Sequence, residues 1–385
     1  MREVRRREAL SGLGGLLVTG AAAGIGGIGV TGCDTGRARA AQARAAQVHA
    51  TPGTLLWRFR TGAGGEQLSL AAADGMVYAN GAAPPVHTDV TFGIDATTGQ
   101  EVWRTHRSAL AFTYAAGAGA VYGYESSNSL TYTVAALSAD TGRTLWTYDL
   151  GDMNVLTGYP LTYTDGLLYS ENTQPGLLAL DARTGLRVWS RALTAGWTVP
   201  GNGAVYASNN TAAGQLVALD AATGSSLWQT GTGLLLDLLT TVDDIVCGLA
   251  NGRVYAFSTA TGTRLWQHEL GRTGQLVTVA ATTGGTVFFV MALAAGPFTI
   301  WALDARTGAR AWTRTQARGQ RLQALDADAD TLYLGLDDGT LFALTAATGK
   351  TRWSQRLGGP IRRITAAADA VYATDADGVI AAIKT

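Results

Sequence analysis

Cysteine is nearly absent from the chain, with Cys33 and Cys247 the only two. One ends an apolar leader and the other sits in the strand-like run Ile245-Val246-Cys247-Gly248-Leu249. Two such residues cannot build a disulfide framework, a zinc site or a paired redox centre, and Cys247 reads as a small buried apolar side chain. Charge is scarce as well: charged residues make up 15% of the chain, and 29 Lys+Arg balance 29 Asp+Glu. Without a basic excess there is no footprint for nucleic acid, and nothing calls for an acidic partner. Lysine is confined to Lys350 and Lys384 while Ala and Gly abound, the coding habit of a high-G+C bacterium. The four histidines, His49, His87, His106 and His268, are scattered without metal-ligand spacing and read as surface residues. No Gly-rich loop follows a strand and opens a helix, so a phosphate cradle is excluded. The acidic run Asp326-Ala327-Asp328-Ala329-Asp330 has calcium-like spacing. Thr331 and Asp337 stand, however, where an EF-hand loop needs its Gly and its bidentate Glu. The run reads instead as a solvated acidic hairpin.

The first fifty residues read as an address rather than a fold element. Arg2, Arg5, Arg6 and Arg7 precede an uncharged stretch over residues 9–32, which ends in Val30-Thr31-Gly32-Cys33. That is the order of an export signal. Arg6-Arg7 resembles a twin-arginine (Tat) motif, and the small-residue run before Cys33 resembles a lipobox, which implies lipid on the Cys33 sulfur. The alternatives are an uncleaved membrane-spanning helix, for which the stretch is long enough although rich in glycine, or a soluble secreted protein. Each places the rest of the chain outside the cytoplasm. The domains expected are thus a signal peptide over 1–33, a tether over 34–53 with no apolar periodicity, and one folded unit over 54–385. Localisation is expected at the outer face of the cytoplasmic membrane.

That unit repeats at about 40 residues. Leu180-Asp181-Ala182-Arg183-Thr184-Gly185-Leu186-Arg187-Val188-Trp189 recurs at Leu219–Trp228 and Leu303–Trp312, with looser copies at Ile94–Trp103, Leu137–Trp146, Phe257–Trp266 and Leu344–Trp353. In all seven, Thr precedes Gly and Trp falls four residues later; an eighth Trp, Trp57, lacks the turn in front of it. The pattern is a hairpin whose Asp accepts backbone N–H bonds, whose Gly takes a positive φ, and whose Trp covers the following strand. Ser138, Ser258 and Thr345 stand where Asp is missing. Ahead of each hairpin lies a tight turn and an apolar strand, as in Asp74-Gly75-Met76-Val77-Tyr78 and Asp165-Gly166-Leu167-Leu168-Tyr169. Four short strands per period, called A to D from the axis outward, and no helical periodicity predict an all-β, eight-bladed β-propeller of four-stranded antiparallel blades. The chain ends after three strands of a last blade and begins with a lone strand around Trp57. Pairing the two ends closes the ring and removes an open edge.

Blades of this kind resemble the tryptophan-docked propellers of the quinoprotein family, that is the pyrroloquinoline-quinone (PQQ)-dependent dehydrogenases and their non-catalytic BamB-like lipoprotein relatives. The PQQ-like repeat spans 54–385. In the dehydrogenases the quinone lies between a Trp and a ring formed by adjacent cysteines, beside a calcium ion and a catalytic Asp. No adjacent cysteines exist here, so none of those roles can be carried over, and no PQQ or other cofactor, metal or catalytic residue is expected.

The A–B and C–D turns, on one face of the disc, are short and uniform. The B–C connections on the other face are tight at Asn251-Gly252, Asp338-Gly339 and Asp377-Gly378 but longer at 81–89, 125–129, 171–176, 208–214 and 291–297. Scaffold faces repeat and binding faces diversify, so the expected partner face is the B–C/D–A one. Its candidate residues are Trp197, Asp152, Asn154, His106, Arg107, Asp237 and Arg272, with Trp197 as anchor and Tyr159 near the same mouth. Trp57, Trp103, Trp146, Trp189, Trp228, Trp266, Trp312 and Trp353 are structural. The function expected is a monomeric, membrane-tethered, non-catalytic scaffold or sensor that binds an envelope protein or glycan. The alternative is an enzyme, a PQQ-dependent dehydrogenase or a carbohydrate-active propeller.

Overall fold

Eight antiparallel sheets succeed one another along the chain. The structure is a computed structural model that describes residues 49–385 except 63, 84–87, 109, 127–130, 153–160, 172–175, 194, 210–213, 271–274, 277–280, 293–296, 317–318, 329 and 368. The leader, with Arg6, Arg7 and Cys33, lies outside the described residues. Blades 1 to 7 occupy 64–108, 110–152, 162–191, 195–231, 237–269, 275–315 and 322–356. Blade 8 combines 361–384 with Leu55–Arg60. Each has four strands, the innermost of blade 6 being split into Gln275–Leu276 and Ala281–Thr283. Leu55–Arg60 pairs antiparallel with Val379–Lys384, Trp57 opposite Ala382. The N-terminal strand therefore completes the last blade.

Each motif residue has a measurable job. In the hairpins with Asp, Oδ1 of Asp181 accepts the Thr184 amide at 2.7 Å and its hydroxyl at 2.6 Å, and Asp220 and Asp304 do the same with Thr223 and Thr307. These bonds hold all three carboxyls below their ordinary range. The hairpin then places one extra residue against its partner strand, between Ala179↔Trp189 and Leu180↔Arg187 for example. The extra residue points outward. For that reason Val102, Leu145, Val188, Leu227 and Leu265 are exposed although apolar, while the Trp after each turns inward.

The indole joins blade to blade. Its Nε1–H donates to a backbone carbonyl of the next blade, from Trp57 to Ala96, Trp103 to Ala139, Trp146 to Ala182, Trp189 to Ala221, Trp228 to Thr259, Trp266 to Ala305 and Trp312 to Ala346, at 2.6 to 3.0 Å. Its face covers the next blade's hairpin glycine, where an added Cβ would sit within 3.0 Å of the ring. Glycine is needed there twice over, for its positive φ and for this close approach. The eighth seam uses a residue that the motif does not mark. Trp353 lies on Gly53, whose φ is 85° and whose amide donates to Lys384 O at 2.9 Å. Gly53, expected as the last residue of the tether, is the missing eighth dock.

Within a blade, the Trp on D meets the aromatic on B across a small residue on C. Trp228 faces Ala218, and Ala218 faces Tyr206. Ring centroids of such pairs are 5.8 to 6.1 Å apart in seven blades. In blade 5 the B-strand position is Cys247, opposite Ala256 and Trp266, fully buried. Burial pushes its thiol up to about 12, leaving it inert at neutral pH.

Candidate functional site

Two residues beyond the B-strand position that faces the Trp (an aromatic in seven blades, Cys247 in blade 5), each blade has an equivalent position just below the B–C/D–A face. Running round the ring from blade 8 these are Thr374, Asn80, Tyr124, Glu171 and Ser208, followed by Leu249, Val290 and Gly335 in blades 5 to 7. The first five are all buried and all polar. The last three form apolar seams: Leu249 and Val290 belong to core clusters, and Gly335 makes room for Ile361 of blade 8. Five consecutive seams are thus polar at this depth and three are not. In the sequence, the longer B–C connections belong to blades 1 to 4, which carry polar residues at this position, and to blade 6, which does not.

Two of these seams, from blade 2 to 3 and from blade 3 to 4, are crossed by hydrogen bonds from the arc. Tyr124 of blade 2 meets Ser170 of blade 3, hydroxyl to hydroxyl at 2.9 Å, and burial drives the phenol far above its ordinary range. Glu171 of blade 3 reaches strand A of blade 4. Its Oε1 accepts the Thr198 amide at 2.9 Å and also the Thr198 hydroxyl. Glu171 is 2% exposed, and its Oε2 makes no hydrogen bond. Desolvation outweighs the two Thr198 bonds and raises the carboxyl to about 7. Ser208 of blade 4 accepts the Trp197 amide at 3.0 Å, which ties the two innermost strands of that blade.

The described site positions fall at two distances from the axis. Trp197, on strand A of blade 4, is part-buried and packs against two core clusters that hold Leu239, Leu249 and Tyr255. Asp237 opens strand A of blade 5, opposite Leu249. His106 is exposed on outermost strand D of blade 1, opposite Val90; Arg107 follows opposite Asp89, and Asp152 ends strand D of blade 2 opposite Thr131. Strands A and D lie three strand spacings apart, about 14 Å, so His106, Arg107 and Asp152 form a rim while Trp197 and Asp237 stand near the axis. The side chains of Arg107, Asp152 and Asp237 lie outside the described residues, as do Asn154, Tyr159 and Arg272. Pattern reading passed over Glu171, although comparing the same position in every blade isolates it.

The acidic run is partnered, and less solvated than expected. Asp326 accepts the amides of Ala327 and of Ala366 in blade 8, both at 2.8 Å. Asp328 accepts the Tyr333 hydroxyl, and Asp330 pairs with Arg352 at 2.5 Å. Among the described residues no three His, Cys, Asp or Glu side chains gather. Cys247 has no adjacent cysteine and is packed in the blade 5 core with Leu249 and Val287.

The family model described as outer membrane protein assembly factor BamB matches residues 130–288, 242–335 and 297–385, more than half of the 385-residue chain. BamB from Moraxella catarrhalis superposes with a TM-score of 0.64 at 16% identity, covering 86% of this chain and 99% of that one. Quinohemoprotein alcohol dehydrogenase from Comamonas testosteroni gives 0.62 at 13%, over 86% and 76%. A europium-containing methanol dehydrogenase gives 0.58 at 15%, over 83% and 84%. No curated protein sequence matches the chain.

Proposed function

Because the chain belongs to the family of the outer membrane protein assembly factor BamB, we propose that it is a non-catalytic protein-binding scaffold of the cell envelope, with its partner site on the B–C/D–A face of blades 1 to 4. The observation that carries this reading is the asymmetry between the faces. The A–B and C–D face is occupied by eight indole docks, whereas the connections at the other face are unequal in length and a buried polar arc lies just below that face. Family membership favours a protein over a glycan as the occupant. Trp197 and Asp152 remain the proposed contacts, one near the axis and one on the rim. Trp197→Ala and Asp152→Lys are expected to weaken capture of the partner, and Arg183→Glu and Arg306→Glu, in the opposite turns, to leave it unchanged.

Export through Arg6-Arg7 and lipid attachment at Cys33 belong to the same proposal. Cys33→Ala is expected to accumulate unprocessed precursor that takes up no labelled lipid. The dehydrogenase likeness supplies the competing reading. Incubation of the purified protein with PQQ and calcium is expected to leave no bound quinone absorbance and no alcohol- or sugar-dependent dye reduction; a stoichiometric quinone would establish the enzyme instead.

A further inference from the structure

We infer that the contact from Glu171 to Thr198 is a proton-controlled latch between blades 3 and 4, closed when the carboxyl is protonated and loosened when it ionises. The geometry sets up two states. One oxygen takes both donors of Thr198 across the seam, the other takes none, and the whole side chain is out of water. A neutral carboxyl tolerates that surrounding. A carboxylate there has only two donors on one oxygen and, among the described residues, nothing of opposite sign to meet it, so ionisation must admit water or part the seam.

The groups around the carboxyl leave it as the titrating member. From blade 2 the facing group is Tyr124, which stays protonated and is joined to Ser170. Glu125, the next residue, points to the opposite face of its sheet by strand alternation. Strand A of blade 4 brings Trp197 and Thr198, and among the described residues no Lys, Arg or His acts on the carboxyl. The other polar seams are built from Asn80, Tyr124, Ser208 and Thr374, none of which changes charge near neutrality. At this position of the blades Glu171 is the titrating member, and it lies just below the face proposed for the partner.

The direction with pH follows. The folded carboxyl titrates at about 7 against an ordinary value of 4.5, so between these values the folded state holds a proton that the unfolded chain has released. Stability is greatest below 4.5 and declines as pH rises to about 7, beyond which the loss is complete. The full span amounts to roughly a hundredfold or more in the folded-to-unfolded ratio.

The test uses the full chain and two readouts. Thermal melts from pH 5 to 8.5 are compared for wild type and Glu171→Gln, whose amide keeps the shape without the charge. Contributions common to wild type and variant cancel in the comparison. The wild-type Tm is expected to fall across this range relative to the variant, with the variant the more stable at pH 8.5; parallel curves would overturn the latch. In wild-type protein with 13C-labelled Glu, the Glu171 carboxyl resonance is expected to titrate near 7, and Thr198→Val, which removes one donor, to move that midpoint higher. A wild-type midpoint in the ordinary glutamate range overturns the proposal even if Glu171→Gln fails to fold. The latch rests on geometry rather than on the identity of the partner. If it fails, the scaffold reading survives; if the partner is found on the other face, the latch still stands.

Discussion

Blades 1 to 4 and blades 5 to 7 share one outer architecture and differ at one inner layer. Both halves dock an indole on the next blade's glycine and give its Nε1–H to a carbonyl. Under the B–C/D–A face, the first half puts Asn80, Tyr124, Glu171 and Ser208 into its seams, and the second puts Leu249, Val290 and Gly335. Apolar packing is non-directional and tolerant of register. Buried hydrogen bonds fix geometry, and they are costly when left unmade. The ring therefore closes by a repeated mechanism at its circumference, while near its axis one half is held by directional polar contacts. Those contacts belong to the blades whose B–C connections are longer in the sequence.

The comparison can be broken at the tier where the halves should agree. Trp146→Ala in blade 2 and Trp312→Ala in blade 6 should each cost about 3–5 kcal/mol, the range for truncating a packed aromatic. Chemical denaturation that showed a large loss in one half alone would refute a common docking scheme.

Where the halves should differ, Val290→Asn sets an amide into an apolar seam and should cost about 2–4 kcal/mol through lost packing and unmet polar groups. Ser208→Ala removes one acceptor from a seam already polar and should cost about 1 kcal/mol. Equal losses in the two variants would mean that the polar layer has no structural meaning.

The smallest expected effect sharpens the account of the arc. Tyr124→Phe deletes the hydroxyl that meets Ser170 and should cost about 0.5–1.5 kcal/mol. The loss should be the same at pH 5 and pH 8.5, since the phenol does not ionise in that range. A pH-dependent loss would couple Tyr124 to Glu171 and complicate the reading of Glu171 as the titrating member.

The blade count and the role of each motif residue were legible because they are local, and the closure by the Leu55–Arg60 strand because one strand at the start and three at the end add up to one blade. Asp181, Thr184, Gly185 and Trp189 lie within ten residues, and every copy repeats their spacing. The buried state of Cys247 was legible for the same reason, since it sits amid an apolar strand. Gly53 was not, because its partner Trp353 comes from the far end of the chain and no hairpin motif precedes it. Nor was Glu171, which looks like the first polar residue of a loop. Its burial depends on Thr198 arriving from the neighbouring blade. The acidic run misled in a smaller way: Asp326 faces the Ala366 amide of blade 8 rather than water. What escaped the sequence is in each case a contact across a seam.

The central claim is that the partner sits above the polar arc, and site-specific photocrosslinking in the living cell tests it most directly. A benzophenone side chain would be placed at Asp89, Asn209 or Gln215, at the B–C connections of blades 1 and 4, and at Arg183, Arg306 or Lys350 in the hairpins of the opposite face. The account predicts a common partner adduct from the first three positions and none from the second three. The same adduct from the hairpin positions, with none from the B–C connections, would contradict it.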